Sequence, residues 1–233
     1  MTDTPEIGNS RSSISTPLPH GEGHGGGSVL RYLLICARVL SSIFRPQYFP
    51  LVGFVALFLF TYLSLLPLAF KGLILIIVLL GTLLLPRLTI RIWRQMNGLK
   101  LYHLRLREHR FFPYLVYFLF YAFTLHFINR FHLPYYMGGI LVGSLLIQGT
   151  CLLINVWWKV SVHSAGAGGV IGALVAYSLL FNFNPVWWLA LCILVSGLVG
   201  SSRMLLRQHT LWQVLAGTFL GILLGFFGIL LKF

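Results

Sequence analysis

Residues 211–231 read LWQVLAGTFLGILLGFFGILL and contain no charged side chain. A transmembrane helix needs about 20 consecutive apolar residues to cross the hydrocarbon core of a bilayer. This segment is therefore predicted to span a membrane. Six further apolar segments precede it, at residues 48–68, 70–86, 112–130, 134–154, 165–182 and 186–201. We predict an all-α, polytopic membrane protein, a helical bundle with about seven spans.

The composition of the whole chain agrees with a membrane protein. Of the 233 residues, 58% are hydrophobic and 9% are charged, whereas a soluble domain carries about 25% charged residues. The acidic residues are few: Asp3, Glu6, Glu22 and Glu108 stand against 17 Lys and Arg. This shortage of carboxylates excludes glycosidases that use two acids and oxygen-ligand sites for Mg²⁺ or Ca²⁺. We expect no metal, no cofactor and no nucleic-acid partner.

Three regions follow one another along the chain. Residues 1–28 are rich in Gly, Ser, Pro and Thr and are predicted to be a disordered tail. Residues 29–46 are apolar, but Arg31, Arg38 and Arg45 are spaced by seven and share one helical stripe. Such a segment is predicted to be an amphipathic helix at the membrane interface. Residues 47–233 are predicted to form the membrane-embedded domain.

The basic residues predict the orientation in the membrane. Seven spans put the N-terminus and the loops 87–111, 155–164 and 202–210 on one side. That side holds 14 of the 17 basic residues, and the other side holds Lys71, Arg130 and Lys232. Because loops rich in Lys and Arg stay in the cytoplasm, we predict a cytoplasmic N-terminus and cytoplasmic loops. The predicted location is a bacterial inner (plasma) membrane.

Two of the loops on that side contain a histidine next to the start of an apolar helix. His163 follows Lys159 in one loop, and His209 follows Arg203 and Arg207 in the other. Helix N-termini attract anions through unpaired N–H groups and the helix dipole. Such a pocket suits a phosphate group. One imidazole could attack phosphorus while the other protonates the departing oxygen.

The spacing of these residues resembles a known family. The stretch 202–213 places Ser-Arg, five residues, His, three residues and Gln in the order of the SRxxxxxHxxxD signature of the type-2 phosphatidic acid phosphatase superfamily. That superfamily includes lipid phosphate phosphatases and vanadium haloperoxidases. The stretch 160–163, Val-Ser-Val-His, is similar to its PSGH motif. Gln213 stands where the family has an aspartate.

A third motif of that family, KxxxxxxRP, is matched more loosely. Lys100 and Arg107 have its spacing, but Glu108 stands where proline is expected, and Arg110 offers another register. The basic segment 87–111 has a second interpretation, in which it binds lipid headgroups only.

The resemblance implies a role for each matched residue. His209 would be the nucleophile that forms a phosphohistidine, and His163 the acid that protonates the leaving alcohol. Gln213 would orient His209 in place of the aspartate. The phosphate oxygens would be bound by Arg203, Ser161, Lys100 and Arg107.

The fold and function implied are a six-helix core and metal-independent hydrolysis of a lipid phosphate or pyrophosphate, of the phosphatidic acid or isoprenyl phosphate type. The expected partners are that lipid and the bilayer, and the oligomeric state is left open. Two alternatives use the same scaffold. One is a lipid phosphotransferase, and the other is a catalytically weakened lipid-binding relative, which Gln213 suggests. A transporter is disfavoured because the spans lack carboxylates for ion coupling.

Overall fold

The computed structural model describes residues 24–98, 107–131 and 133–231, and every regular element in these ranges is helical. Two 3₁₀ turns, Pro46–Tyr48 and Tyr62–Leu65, and a π-helical turn, Leu80–Leu84, interrupt the α-helices. The α-helices are α1 His24–Ile43, α2 Phe49–Phe60, α3 Leu68–Leu79, α4 Leu85–Met96, α5 Arg107–Asn129, α6 Tyr135–Trp157, α7 Val162–Phe181, α8 Val186–Leu205 and α9 Leu211–Leu230.

Seven helical segments among the described residues are long and apolar enough to cross a membrane, which confirms the predicted number of spans. The protein is thus an integral membrane protein with a polytopic helical bundle. The segments are Val29–Phe60, Leu68–Met96, Phe112–Asn129, Tyr135–Trp157, Val162–Phe181, Val186–Leu205 and Leu211–Leu230.

The second segment is longer than the sequence predicted. Its apolar run ends near residue 86, but the helix continues to Met96. Pro86 has no N–H for the helical ladder, and a π-helical turn precedes it. Beyond this point α4 presents exposed Leu88 and Ile92 alongside arginines. Residues 87–96, predicted to be part of a basic loop, are therefore an amphipathic extension of the span.

Helices α7 and α9 pack closely because glycines line their contact. The two helices run parallel, since residue numbers increase in the same direction along both. A Cβ on Gly217 would lie 2.6 Å from the Ser161 carbonyl oxygen. One turn further, a Cβ on Gly221 would overlap the carbonyl of Ala165, and one on Gly225 would overlap that of Gly169. The small residues thus let the backbones approach, as in other membrane helix pairs. The parallel packing brings the N-termini of α7 and α9 to one end of the bundle.

A second face of α9 contacts α6 in a similar way, and Gly225 takes part in both contacts. A Cβ on Gly139 of α6 would lie 2.8 Å from the carbonyl oxygen of Gly228, and Gly143 faces Gly225. Here the residue numbers run in opposite directions, so α6 and α9 are antiparallel. α9 is therefore held between two helices through backbone contacts, which fixes the position of its N-terminus.

Helix α1 packs against α8 through a narrow stripe. Ala37 and Ser41 are its buried side chains among those described, whereas Arg31 and Arg38 are exposed. The helix begins at His24, so residues 24–28 of the predicted tail belong to it, and residues 1–23 lie outside the described part. The placement of this helix at the membrane interface stays a prediction.

The 3₁₀ turn that follows α1 is anchored from α4. Arg87 donates to the Oε1 atom of Gln47 through Nε at 3.2 Å and through Nη2 at 3.1 Å. Its guanidinium also lies 4.9 Å from the centre of the Tyr48 ring. Pro46 of the same turn packs against Gly166 of α7. The end of α1 is thereby held beside the start of α7.

Candidate active site

The loops before α7 and α9 are joined by direct hydrogen bonds. The Ser161 N–H donates to the Gln213 carbonyl at 3.3 Å. The Lys159 ammonium donates to the Gln208 carbonyl at 2.5 Å. These bonds add to the glycine-lined packing of the two helices. The two loops singled out by sequence therefore form one structural unit.

Ser161 caps the start of α7. Its Oγ accepts from the Ser164 N–H at 3.3 Å and lies 2.9 Å from the Ser164 Oγ, and the residue is fully buried. A serine at this position satisfies an N–H that the helix leaves unpaired. The hydroxyl is thus engaged in the cap, and its predicted contact with phosphate stays a prediction.

A Schellman turn connects α8 to α9. Gln208 N–H donates to the Arg203 carbonyl at 3.1 Å, and Arg207 N–H donates to the Met204 carbonyl at 2.8 Å. Arg207 occupies the left-handed position with φ +51°, where glycine is more usual. This sharp reversal places His209 directly before the N-cap of α9, Thr210.

His209 contacts Gln213, as the resemblance implies. Its Nδ1 lies 3.2 Å from the Gln213 Oε1, which also accepts the Thr210 N–H at 3.2 Å. Since a backbone N–H can only donate, the atom that faces it is the amide oxygen. Nδ1 must then be the protonated nitrogen of a neutral His209. The lone pair is left on Nε2, as nucleophilic attack requires.

A cavity of about 280 Å³ opens beside these helix ends. None of its lining residues, all within the described chain, is acidic. Arg203 enters it from the end of α8 and donates from Nη1 to the Ser41 Oγ at 2.7 Å. Its Nε is buried without a hydrogen-bond partner among the described residues. The lining residues are Arg38, Ser41, Ser42, Arg45, His163, Arg203, Leu206 and Gln208.

His163 lies among positive groups in this cavity. Arg203, His209 and Arg45 are all close enough to interact with it electrostatically, and the Ser41 backbone lies close to its side chain. The two predicted histidines thus lie near each other although 46 positions separate them. A cavity with buried guanidinium N–H groups and no acidic lining suits a bound anion. Among the described residues no cluster of His, Cys, Asp or Glu could hold a metal.

Two predicted phosphate ligands are not described. Lys100 lies outside the described residues, and Arg107 begins α5, but its side chain is not described. Their roles stay predictions. The lining of the cavity consists instead of residues from α1, α7, α8 and the turn after α8, together with Arg45 just beyond α1.

The sequence analysis missed the contribution of α1. Arg38 and Arg45, which it assigned to lipid headgroups, both line the cavity. A signal was present: Arg38, six residues, Arg45 and Pro46 have the spacing of KxxxxxxRP, with arginine in place of lysine. Pro46 provides the proline of the motif, whereas the match at Lys100 and Arg107 has Glu108 at that position. Because the segment around these arginines is apolar, a helix at the membrane interface explained their spacing without a role in the site.

The fold defines a polytopic membrane protein in which His163 lines a cavity with three arginines, and His209 lies near His163 without lining that cavity. A family model of the PAP2 superfamily matches residues 156–233, a range that includes His163 and His209. This match covers the C-terminal third of the chain and confirms the predicted resemblance to the superfamily. The superfamily includes phosphatases, which supports a phosphatase activity in general. No curated protein and no solved structure matches the chain.

Proposed function

We propose that the protein hydrolyses a lipid phosphate or pyrophosphate at the cytoplasmic face of a bacterial inner membrane. His209 is the nucleophile and His163 the general acid, and no metal takes part. The substrate's phosphate group occupies the cavity, bound by Arg203, Arg38 and Arg45. Its apolar tail stays in the bilayer beside the exposed apolar helix surfaces.

In the first step, the His209 Nε2 attacks phosphorus and forms an N–P bond. The bond from phosphorus to the lipid oxygen breaks, and His163, which the negative charge of the bound phosphate keeps protonated, gives its proton to that oxygen. The guanidinium groups offset the negative charge of the phosphoryl oxygens. Gln213 keeps accepting the Nδ1–H of His209 throughout.

In the second step, neutral His163 takes a proton from water as the water oxygen attacks phosphorus. The N–P bond breaks, and its electron pair returns to Nε2. Orthophosphate leaves, and His163 is again protonated for the next cycle. Over the two steps, His163 loses and regains one proton, and His209 forms and breaks one N–P bond. Both histidines therefore return to their starting states.

One observation supports this function most directly. His163 and His209 interact beside a cavity in which the buried Nε of Arg203 has no hydrogen-bond partner among the described residues. An unpaired buried guanidinium nitrogen is costly. A phosphate oxygen in the cavity would satisfy it.

The test is an assay of the purified protein with phosphatidic acid and isoprenyl phosphates, which measures free orthophosphate. We expect release by the wild type and a loss of at least about 10³-fold in His209→Ala, because a covalent step is removed. The control is His126→Ala, which also replaces a histidine, but one outside the cavity, and it should retain activity. Equal release by wild type and His209→Ala would falsify the nucleophile assignment. A new phosphorylated lipid in place of orthophosphate would indicate the transferase.

Gln213 supports a second candidate, a lipid-phosphate-binding protein with weakened catalysis. A neutral amide holds the tautomer of His209 but adds no charge to stabilise the cationic ring. Gln213→Glu keeps the length of the side chain and supplies that charge. We expect kcat to rise on the order of tenfold, since such a carboxylate stabilises an imidazolium. If lipid phosphate binds but neither wild type nor Gln213→Glu releases orthophosphate, the binding function is favoured.

The proposed orientation has its own test. Gln95 is exposed at the end of α4, on the side predicted to be cytoplasmic. With Cys36, Cys151 and Cys192 replaced, Gln95→Cys should resist an impermeant thiol reagent in intact cells and react after permeabilisation. Labelling in intact cells would reverse the topology.

A further inference from the structure

Ser41 occupies an unusual position on α1. It is 7% exposed, whereas the neighbouring residues Ser42 and Ile43 are exposed to a much larger extent. Among the described side chains of α1, only Ala37 and Ser41 are buried, and most of the others are exposed. A buried hydroxyl needs a hydrogen-bond partner. Its partner lies on another helix, at a site formed by the C-terminal third of the chain.

That partner is the guanidinium of Arg203. The Arg203 Nη1 donates to the Ser41 Oγ at 2.7 Å, a short charge-assisted bond. An arginine side chain has several rotatable bonds, so a fixed point at one nitrogen restricts the whole planar group. With Nη1 held by Ser41, Nε remains buried without a protein partner in the described residues. The serine thus fixes the plane in which Arg203 meets a bound anion.

The backbone of Ser41 contacts the other side of the site. The His163 side chain lies close to it. Carbonyl groups in the last turn of a helix lack intrahelical partners and carry the negative end of the helix dipole. Ser41 lies in the last turn of α1, which ends at Ile43. The groups that otherwise face His163 are positive or basic: Arg45, Arg203 and His209. The end of α1 is thus a source of partial negative charge beside this imidazole.

We propose that Ser41 is a positioning residue, whose hydroxyl holds Arg203 in the geometry that binds phosphate. It does not touch the reacting atoms, so it acts through the Arg203 side chain. The inference rests on the proposed function, because it assigns the cavity to a phosphate group. It adds α1, which lies outside the matched range 156–233, to the elements that determine how tightly that group is held.

The test compares Ser41→Ala with Ser41→Thr, which keeps the hydroxyl. Ser196→Ala on α8 is the matched control, because Ser196 is also buried, at 6% exposure, and does not line the cavity. Binding of inorganic phosphate is measured by titration calorimetry, and kcat and KM are measured with phosphatidic acid. The Tm of each variant is measured as well, so that a loss of phosphate binding can be separated from a loss of the fold.

We expect Ser41→Ala to weaken phosphate binding and raise KM about tenfold, as the loss of a hydrogen bond to a charged group does. The effect on kcat should be smaller than threefold, since loosened ground-state binding acts mainly on KM. Ser41→Thr should bind within about twofold of the wild type. If Ser41→Ala proves unstable, Ser41→Cys, with a similar volume and a weak acceptor, should show the same loss.

Unchanged phosphate binding in Ser41→Ala would overturn the proposal. So would an equal loss in a stable Ser41→Thr, because packing rather than the hydroxyl would then be responsible. The calorimetric titration needs no turnover. A wild type that binds phosphate through Ser41 but hydrolyses no lipid phosphate would disprove the proposed function and leave the positioning role in place.

Discussion

The α7–α9 pair and helix α1 approach the same cavity with opposite kinds of packing. α7 and α9 meet through glycines, backbone against backbone, and their loops are joined by the Ser161–Gln213 bond. α1 is held by a narrow stripe and a few polar contacts. The first region positions the two histidines, and the second supplies Arg38 and Arg45. In the proposed mechanism, the chemistry thus rests on the closely packed pair, and part of the phosphate binding rests on a lightly packed helix.

Breaking the closely packed pair should have the largest effect. In Gly221→Leu, the side chain would overlap the Ala165 carbonyl, so α7 and α9 must separate. Overpacking of this kind, against backbone that cannot yield, is expected to reduce phosphatase activity on the order of 100-fold or to prevent folding. The measurement is orthophosphate release together with the yield of monodisperse protein. Gly197→Leu is the control, because a Cβ at Gly197 meets nothing within 4 Å. Similar behaviour of the two variants would contradict the packing argument.

Weakening the α1 side should lower affinity without loss of the fold. Arg45→Ala removes a guanidinium that lines the cavity. We expect KM to rise about tenfold or more, from the loss of a charge-assisted contact, with a smaller change in kcat. Arg31 shares the helical stripe but lies outside the cavity lining, so Arg31→Ala is the control. Equal effects of both substitutions would mean that only general attraction to the headgroup region is lost.

Loosening the anchor of α1 should act indirectly and more weakly. Arg87→Met removes both bonds to Gln47 and the contact with Tyr48. Because the turn that carries Pro46 then loses its hold on α4, KM should rise about threefold, as for a partly exposed hydrogen bond. The control is Arg91→Met, at an exposed arginine one turn further along α4, and it should leave KM unchanged. A fall in kcat alone would argue against a role in placing Arg45.

Relieving strain in the turn before α9 should have the smallest effect. Arg207 adopts φ +51°, which costs a non-glycine residue about 1 kcal/mol. Arg207→Gly should therefore raise the free energy of unfolding by up to about 1 kcal/mol. Arg207→Ala should give no gain, since alanine keeps the Cβ. Thermal unfolding in detergent compares them, and a lower Tm for Arg207→Gly than for Arg207→Ala would contradict the expectation.

Local sequence was sufficient to predict the number of spans and to single out two histidines that lie near each other. Apolar runs are local features, and the spacing that identifies His163, His209 and Gln213 lies within short stretches. The extension of the second span to Met96 was missed because its arginines lower the local hydropathy although the helix continues. The contribution of Arg38 and Arg45 depends on where α1 packs, which is a long-range property. A stripe of arginines on an apolar helix is equally compatible with headgroups and with a cavity.

The glycine contacts of α9 leave no side chain between it and α7. The separation of the two imidazoles is consequently determined by main-chain atoms, which substitutions at neighbouring positions cannot adjust. Selection for a bulkier or differently charged headgroup would have to act elsewhere, and α1 is the wall of the cavity that contacts its neighbours through side chains. Engineered changes in substrate preference are therefore best sought at Ser42, which lines the cavity beside Arg38 and Arg45.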